Sequence, residues 1–596
     1  MSTVRNLAIQ TLFLVTVGAG IVRAQDSAGI PINDELTIQK CGGCHRRDQN
    51  GIMRRISSIR TSPEVWEQAM KRMVRLNGLV LKPEEARSIL KYLTKNNGLS
   101  PEEEKLAFWE AEHRMFRDQS DLVPSPDLQH TCNYCHTIGR VLTQRRTRED
   151  YVKLANMHMG LFPGAENVLR PRRQRGPDVE APIRLAPPGP GMPAIESAGP
   201  PPAPNAARND GRYPMDIAID YLVKNQPLIT PEWTAWAAAM KTPKLDGKWA
   251  LTGYQVGKGR IFGTLTIEPG AAPDEFNTKV EIEYVSTGKT LTRTGKSVVY
   301  TGFSWRGRST MTAAPEAASD PNFPPAEWRE AMMVSRDTNN MDGRWFWGGY
   351  QEFGIDVHLR RINSEPILSG INISSLKSPS TGEVKLYGAN IPADLKPADV
   401  DLGTGVTIRR IVSRTATSVT VDVAVADKVP TAMHDASLAR SSVPKAFAVY
   451  DQVAYIKVTP DADMARLGGG IAAKQYAQFE TIAYAKGPDG KANTADDISL
   501  GPVAAKYNME EFLSTPDDDD AKFVGNLNPN TGLFTPSIEG PNPERKKASN
   551  NLPTNNWGDV WVSATYTVGG QELKSRAYLV VTIPVYVKYD QAEVGQ

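Results

Sequence analysis

Two C-x-x-C-H runs near the amino end, a switch at about residue 242 to short alternating apolar runs, and turn residues between those runs predict a multidomain chain. The expected order is a mostly α, diheme cytochrome c-like domain followed by three all-β domains, one antiparallel barrel and two immunoglobulin-like sandwiches. Length and composition permit this. The chain has 596 residues, 40% of them hydrophobic and 23% charged, enough to bury several cores. Lys and Arg number 69 against 67 Asp and Glu, a net charge of +2 that excludes a nucleic-acid-coating protein. Four cysteines are too few for a disulfide scaffold of this length.

Residues 1–24 read as an export signal. One early charge at Arg5 precedes an apolar run from Leu7 to Val22, and the small residue Ala24 closes it before Gln25. That run is short for a bilayer crossing, which takes about 20 apolar residues. The mature chain is therefore expected from residue 25, in the periplasm, with no membrane span.

All four cysteines fall in Cys41-Gly42-Gly43-Cys44-His45 and Cys132-Asn133-Tyr134-Cys135-His136. Each run is the attachment signal of a c-type heme. Two thiols add to the two vinyl groups of one porphyrin, and the adjacent histidine reaches its iron. Cys41, Cys44, Cys132 and Cys135 are thus expected to hold two covalently bound heme c groups, with His45 and His136 as proximal ligands.

The segments downstream of the two motifs repeat one another. Trp66 to Met73 leads to Tyr92-Leu93-Thr94-Lys95-Asn96, and Tyr151 to His158 leads to Tyr221-Leu222-Val223-Lys224-Asn225. Such self-similarity predicts two tandem lobes within residues 25–241. Seven residues after the leading aromatic, about two helical turns, stand Met73 and His158, the candidate distal ligands. Met70 and Met53 are the alternatives to Met73, which also shares a helical face with Val65, Met70 and Leu76 and would serve there as plain core. Met157 and Met159 flank His158. His113 and His130 are expected as ordinary core or surface histidines. A proline-rich stretch at about 164–212, dense from Pro171 to Pro204, cannot build a core and reads as an insertion in the second lobe.

Beyond residue 242 three modules are expected. Residues 242–364 carry a repeat, Asp246-Gly247-Lys248-Trp249 to Gly253-Tyr254-Gln255 and Asp342-Gly343-Arg344-Trp345 to Gly349-Tyr350-Gln351, which predicts a barrel of two related halves with the Asp-Gly pairs in turns. Trp249, Trp345 and Trp347 are expected in its core. Residues 365–440 and 441–596 alternate with period two, as in Thr417 to Val423 and Tyr578 to Ile583. Asp517 to Asp520 reads as a solvated loop. Asp489 to Asp497 spaces oxygen atoms at calcium-like intervals without forming an EF-hand. His358 and His434 are too isolated for a histidine-based site.

A diheme region followed by three β modules resembles the alpha subunit of quinohemoprotein amine dehydrogenase. The resemblance rests on the two heme motifs, the Trp66 to Met73 segment, Trp249/Tyr254 with Trp345/Tyr350, and the Glu539-Gly540-Pro541-Asn542-Pro543 loop. It implies a periplasmic heterotrimer that oxidises primary amines to aldehydes and ammonia. In that family the cysteine tryptophylquinone belongs to a small gamma subunit and the beta subunit is a propeller. No cysteine remains here to form that cofactor, so this chain would carry no catalytic residue of its own. It would pass electrons through two hemes to a soluble copper protein or cytochrome c. The other classes open to the sequence are a stand-alone exported diheme peroxidase and a non-catalytic electron wire with β binding modules.

Overall fold

The computed structural model describes residues 29–104, 128, 131–132, 139–162, 164–169, 212–312, 320–513, 518–546 and 552–584. The export signal, Cys135, His136, His113, His130 and nearly all of the proline-rich stretch lie outside these residues. Across the described residues helices are few and most of the chain is β.

The described residues between 29 and 241 are helices joined by loops, with one short strand pair among them. Punctuation explains the boundaries. The Pro63–Asn77 helix opens on Pro63 after Ser62 and stops at Gly78, whose φ of 70° is the left-handed cap conformation. The Arg148–Leu161 helix opens after Thr147, whose side chain accepts from Asp150 N. Just before each helix lies a short strand, β1 (Ile59–Thr61) and β2 (Gln144–Arg146), and the two pair antiparallel. The repeat that aligns Trp66 with Tyr151 also aligns Arg60 with Arg145, and Arg60 is paired with Arg145 in the ladder. A residue paired with its own repeat mate marks a pseudo-twofold axis, so the tandem repeat in sequence becomes a symmetric pair of lobes in space. The repeated aromatics have matching tasks. Trp66 Nε1 donates to the Asn97 carbonyl (3.1 Å) and Tyr151 Oη to the Gln226 carbonyl (3.3 Å), tying each helix to the end of its lobe's Tyr-Leu-x-Lys-Asn helix. From the insertion expected at about 164–212, Ala165–Leu169 forms a helix packed into the second lobe.

Eight antiparallel strands then close into a barrel: β3 (Gly247–Gln255), β4 (Gly259–Pro269), β5 (Glu275–Tyr284), β6 (Thr290–Tyr300), β7 (Ser304–Met311), β8 (Glu327–Val334), β9 (Asn340–Trp347) and β10 (Phe353–Arg361). Alternation sets the inside. In β5, Phe276, Thr278, Val280, Ile282 and Tyr284 are buried and most residues between them are exposed. Trp249, Trp305, Trp328 and Trp345 are fully buried and Trp347 nearly so, filling the interior. Each such ring removes 150–250 Å² from water, roughly 4–6 kcal/mol before entropy.

The barrel is not built of two related halves. The repeated Asp-Gly-x-Trp segments sit on β3 and β9, the two neighbours of β10. Both run antiparallel to β10, so they share a direction and their trailing tyrosines emerge at one rim. There Tyr254 Oη donates to Glu480 (2.8 Å) and Arg466 stacks over Tyr350 at 5.6 Å, both contacts reaching the last module. Asp342-Gly343 is not in a turn but inside β9, where a Cβ on Gly343 would meet the Ala331 carbonyl at 2.2 Å.

In the third module two four-stranded sheets share one core that includes Val384, Val421, Val423 and Phe447. The Ser441–Tyr450 strand pairs with Ala432–Leu438 and Ser375–Lys377, so it completes this module, although the expected boundary at 440/441 put it in the next. The last module differs from a two-sheet sandwich. Its described residues divide into sheets of three, four, three and two strands. Asp520 is no solvated loop residue: it is buried, pairs with Arg545 and accepts from Asp559 N (2.8 Å). The Asp496 and Asp497 carboxylates are taken up by protein groups, Thr494 N and, from the neighbouring strand, Tyr455 Oη on Asp497 and Asp489 N on Asp496. Among the described residues no helix is long and apolar enough to cross a membrane.

Candidate heme site

The first motif begins where the Glu35–Cys41 helix ends. Asp34 caps that helix by accepting from Thr37 N and Thr37 Oγ1, and the Gly42 amide returns to the Ile38 carbonyl. The chain then turns tightly, with Cys44 N and His45 N both donating to the Cys41 carbonyl. The turn places Cys41 half-buried against a core of Ile32, Met53, Ile56, Trp66 and Met70, while Cys44 is exposed. Neither thiol is in a disulfide. Burial pushes the Cys41 thiol above its ordinary range.

His45 is oriented by the loop after it. Asp48 Oδ1 accepts from Asn50 N and Ile52 N, and Arg54 N donates back to the Arg46 carbonyl. The turn presents the Arg54 carbonyl to His45 Nδ1 at 2.9 Å. A carbonyl only accepts, so Nδ1 carries the proton and Nε2 carries the lone pair, the tautomer an iron ligand needs. A thiol pair at the right spacing and a histidine held in its ligating tautomer fit a covalently attached heme.

The distal candidates separate by burial. Met53 is fully buried and Met70 is 9% exposed, both within the apolar core. Met73 lies one turn further along the Pro63–Asn77 helix, half-buried and outside that core. In the second lobe Cys132 packs against Leu128, Tyr151, Ala155 and Ile219, and burial pushes its thiol up to about 12. His158 occupies the position equivalent to Met73. Its Nδ1 donates to the Leu154 carbonyl at 2.8 Å, again placing the lone pair on Nε2. Burial holds this imidazole below its usual range, so the ring is neutral at pH 7.

Three further groups meet at the seam between the lobes. Arg60 of β1 grips Glu103 in a bidentate pair, Nη1 to Oε2 and Nη2 to Oε1, both 2.7 Å. Arg145 of β2 approaches Glu103 Oε1 at 3.3 Å, and Thr230 Oγ1 donates to the same oxygen at 2.7 Å. Burial pushes the Glu103 carboxyl up, but the Arg60 hydrogen bonds and the Arg60 and Arg145 charges outweigh it and hold the group at about 2. These residues belong to no motif, although extending the Trp66/Tyr151 alignment six positions back superposes Arg60 on Arg145. His358 and His434 lie apart, one beside Asp342 on the barrel and the other buried in the third module, and the described residues hold no cluster of His, Cys, Asp and Glu placed to bind a metal by themselves.

Solved structures that align with the chain include a de novo designed fluorescence-activating β barrel (16% identity, 20% of this chain and 93% of that one, TM-score 0.16) and a tandem of titin domains (9% identity, 46% and 92%, TM-score 0.11). No curated protein matches. Four family models do match, in chain order. Residues 32–176 match the model described as "Quinohemoprotein amine dehydrogenase A, alpha subunit, haem binding". Residues 242–362, 365–451 and 456–594 match alpha subunit domains II, III and IV of the same enzyme. With a heme-binding region and three β modules matched in one order over most of its length, the chain belongs to the quinohemoprotein amine dehydrogenase alpha-subunit family.

Proposed function

We propose that this chain is the diheme electron-transfer subunit of a periplasmic amine dehydrogenase. It would take electrons from a cysteine tryptophylquinone on a small gamma subunit, beside a propeller beta subunit, and deliver them to a soluble copper protein or cytochrome c. The observation that carries this reading is the pairing of two lobes about the Arg60–Arg145 ladder step, each with a heme-attachment cysteine packed in its core. Each lobe also carries a candidate ligand at the equivalent helical position. Bound heme supplies one-electron redox chemistry.

The chain's own residues hold and orient. Cys41, Cys44, Cys132 and Cys135 would form the thioethers to two hemes. His45 and His136 would supply one nitrogen to each iron, His45 through the tautomer that the Arg54 carbonyl selects. Met73 and His158 would supply the second iron ligands, a thioether favouring the higher potential. With a second ligand on hand for each iron, electron passage fits this chain better than peroxide binding, which would need an open iron position.

A natively purified complex, run in parallel with heme and quinone stains, tests this reading. A heme-positive band of this subunit with a separate small quinone-positive band is expected. A heme band that persistently purifies alone would sink it.

A further inference from the structure

The node at the lobe seam is buried and electrostatically unbalanced. The side chains of Arg60, Arg145 and Glu103 are 0%, 9% and 5% exposed. Two guanidinium cations face one carboxylate, leaving one positive charge out of water. The groups that complete its hydrogen bonds do not cancel it. Arg60 also donates to the Gly98 carbonyl and lies 4.8 Å over the Trp233 ring, and Arg145 donates to the Leu142 and Gln144 carbonyls, all neutral groups. Of the charged clusters around it, Asp150 with Arg146 and Arg55 again sets two cations against one anion, with Arg55 partly in solvent, while on the barrel side Arg306 faces Glu64 and Glu104. The node's position is fixed by symmetry. Arg60 and Arg145 are paired on the pseudo-twofold axis, so the node stands equivalently to the Pro63–Asn77 and Arg148–Leu161 helices that carry Met73 and His158.

We propose that Arg60, Arg145 and Glu103 form a charge node that sets the reduction potentials of both hemes together. The inference rests on the proposed function, in which each lobe holds a heme. A buried positive charge favours whichever state of a nearby iron has one electron more, and low dielectric strengthens the effect. On the axis it acts on both irons in the same sense, raising both potentials and leaving between them the gap that the Met73 and His158 ligands would set. A charge beside one lobe would change that gap.

The test is spectroelectrochemical titration of the natively assembled complex, with heme content measured alongside. Glu103→Gln adds one net positive charge at the node and Arg145→Gln removes one. The expected result is an upward shift of both potentials in E103Q and a downward shift of both in R145Q. The double variant E103Q/R145Q restores the original net charge and should return both potentials close to wild type. Structural damage does not shift potentials in opposite directions and then cancel, so this pattern separates charge from packing. Shifts of the same sign in the two single variants, or a shift confined to one heme, would overturn the proposal. If E103Q does not assemble, R145Q decides alone: unchanged potentials or an upward shift reject the node. A wild-type complex with fewer than two hemes per chain would instead overturn the diheme function on which the node depends.

Discussion

Glu103 and Glu104 are neighbours in the short Pro101–Glu104 helix, and both are buried, yet their carboxyl groups are pushed in opposite directions. Glu103 faces the seam between the two lobes, where two arginines attend one carboxylate and hold it at about 2. Glu104 faces the seam between the first lobe and the barrel. There Arg306 of β7 serves two carboxylates, Glu64 by a close ion pair and Glu104 at 2.8 Å. Burial pushes the Glu104 carboxyl up, the Arg306 charge pulls it back incompletely, and Glu64 adds repulsion, so it ends above its ordinary range. Glu64 Oε2 and Glu104 Oε2 are buried without a hydrogen-bond partner, whereas both Glu103 oxygens are satisfied. The ratio of cations to carboxylates, not depth, decides the state of a buried acid.

The largest effect should come from removing the shared cation. Arg306→Met leaves Glu64 and Glu104 buried together with no counter-charge, a loss of about 3–5 kcal/mol at neutral pH. Denaturant unfolding of the full chain, followed by heme absorbance, would measure it. A loss below about 1 kcal/mol would mean that the lobe–barrel seam does not depend on this buried cation, and the contrast would fail.

Second in size is Glu103→Gln. A carboxyl lowered from 4.5 to about 2 contributes roughly 3 kcal/mol of stability. That contribution is fully present above the unfolded value of 4.5 and disappears as pH falls toward 2. The variant should be less stable at pH 7 and should show a flatter loss on acidification. Glu104 has the opposite sign. Its raised carboxyl favours folding below the unfolded value of 4.5, and that advantage is lost as pH rises through the folded value. Glu104→Gln, a neutral amide in place of a group that resists ionising, should therefore change stability by no more than about 1 kcal/mol at pH 7 and flatten the alkaline side. Melting temperatures from about pH 3 to 8 for wild type and the two variants would test both signs in one series. Parallel curves for E103Q and E104Q would break the comparison.

Much of this was legible from residue types. The C-x-x-C-H runs mark the heme region because the chemistry demands that spacing, and the alternating runs after residue 242 mark β modules because strands bury every second side chain. The repeat in Trp66 and Tyr151 foretells paired lobes. What escaped is long-range. β1 and β2 are three residues each, too short for any periodic signal, and their pairing spans 85 positions between Arg60 and Arg145. Glu102-Glu103-Glu104 reads locally as the acidic first turn of a helix, since nothing nearby announces arginines at positions 60 and 306. The barrel halves failed for a related reason. A repeat shows that two segments share a strand pattern, but closure decides how far apart they sit around the ring.

The smallest expected effect is the control that the same helix provides. Glu102 also pairs with an arginine, Arg336 at 2.6 Å, but the side chains are 45% and 71% exposed. Water already solvates both ions, so the pair gains little Coulomb energy and spends side-chain entropy to form. Glu102→Gln should stay within about 0.5 kcal/mol of wild type at every pH, and added salt should erase even that. It should also leave both heme potentials unmoved, because its charge lies on the surface and off the axis. Three consecutive glutamates, each paired with arginine, would then differ only in burial and in the number of partners. A heme potential that responds to E102Q as strongly as to E103Q would show that net charge anywhere on the subunit tunes the irons, and the position on the axis would lose its meaning.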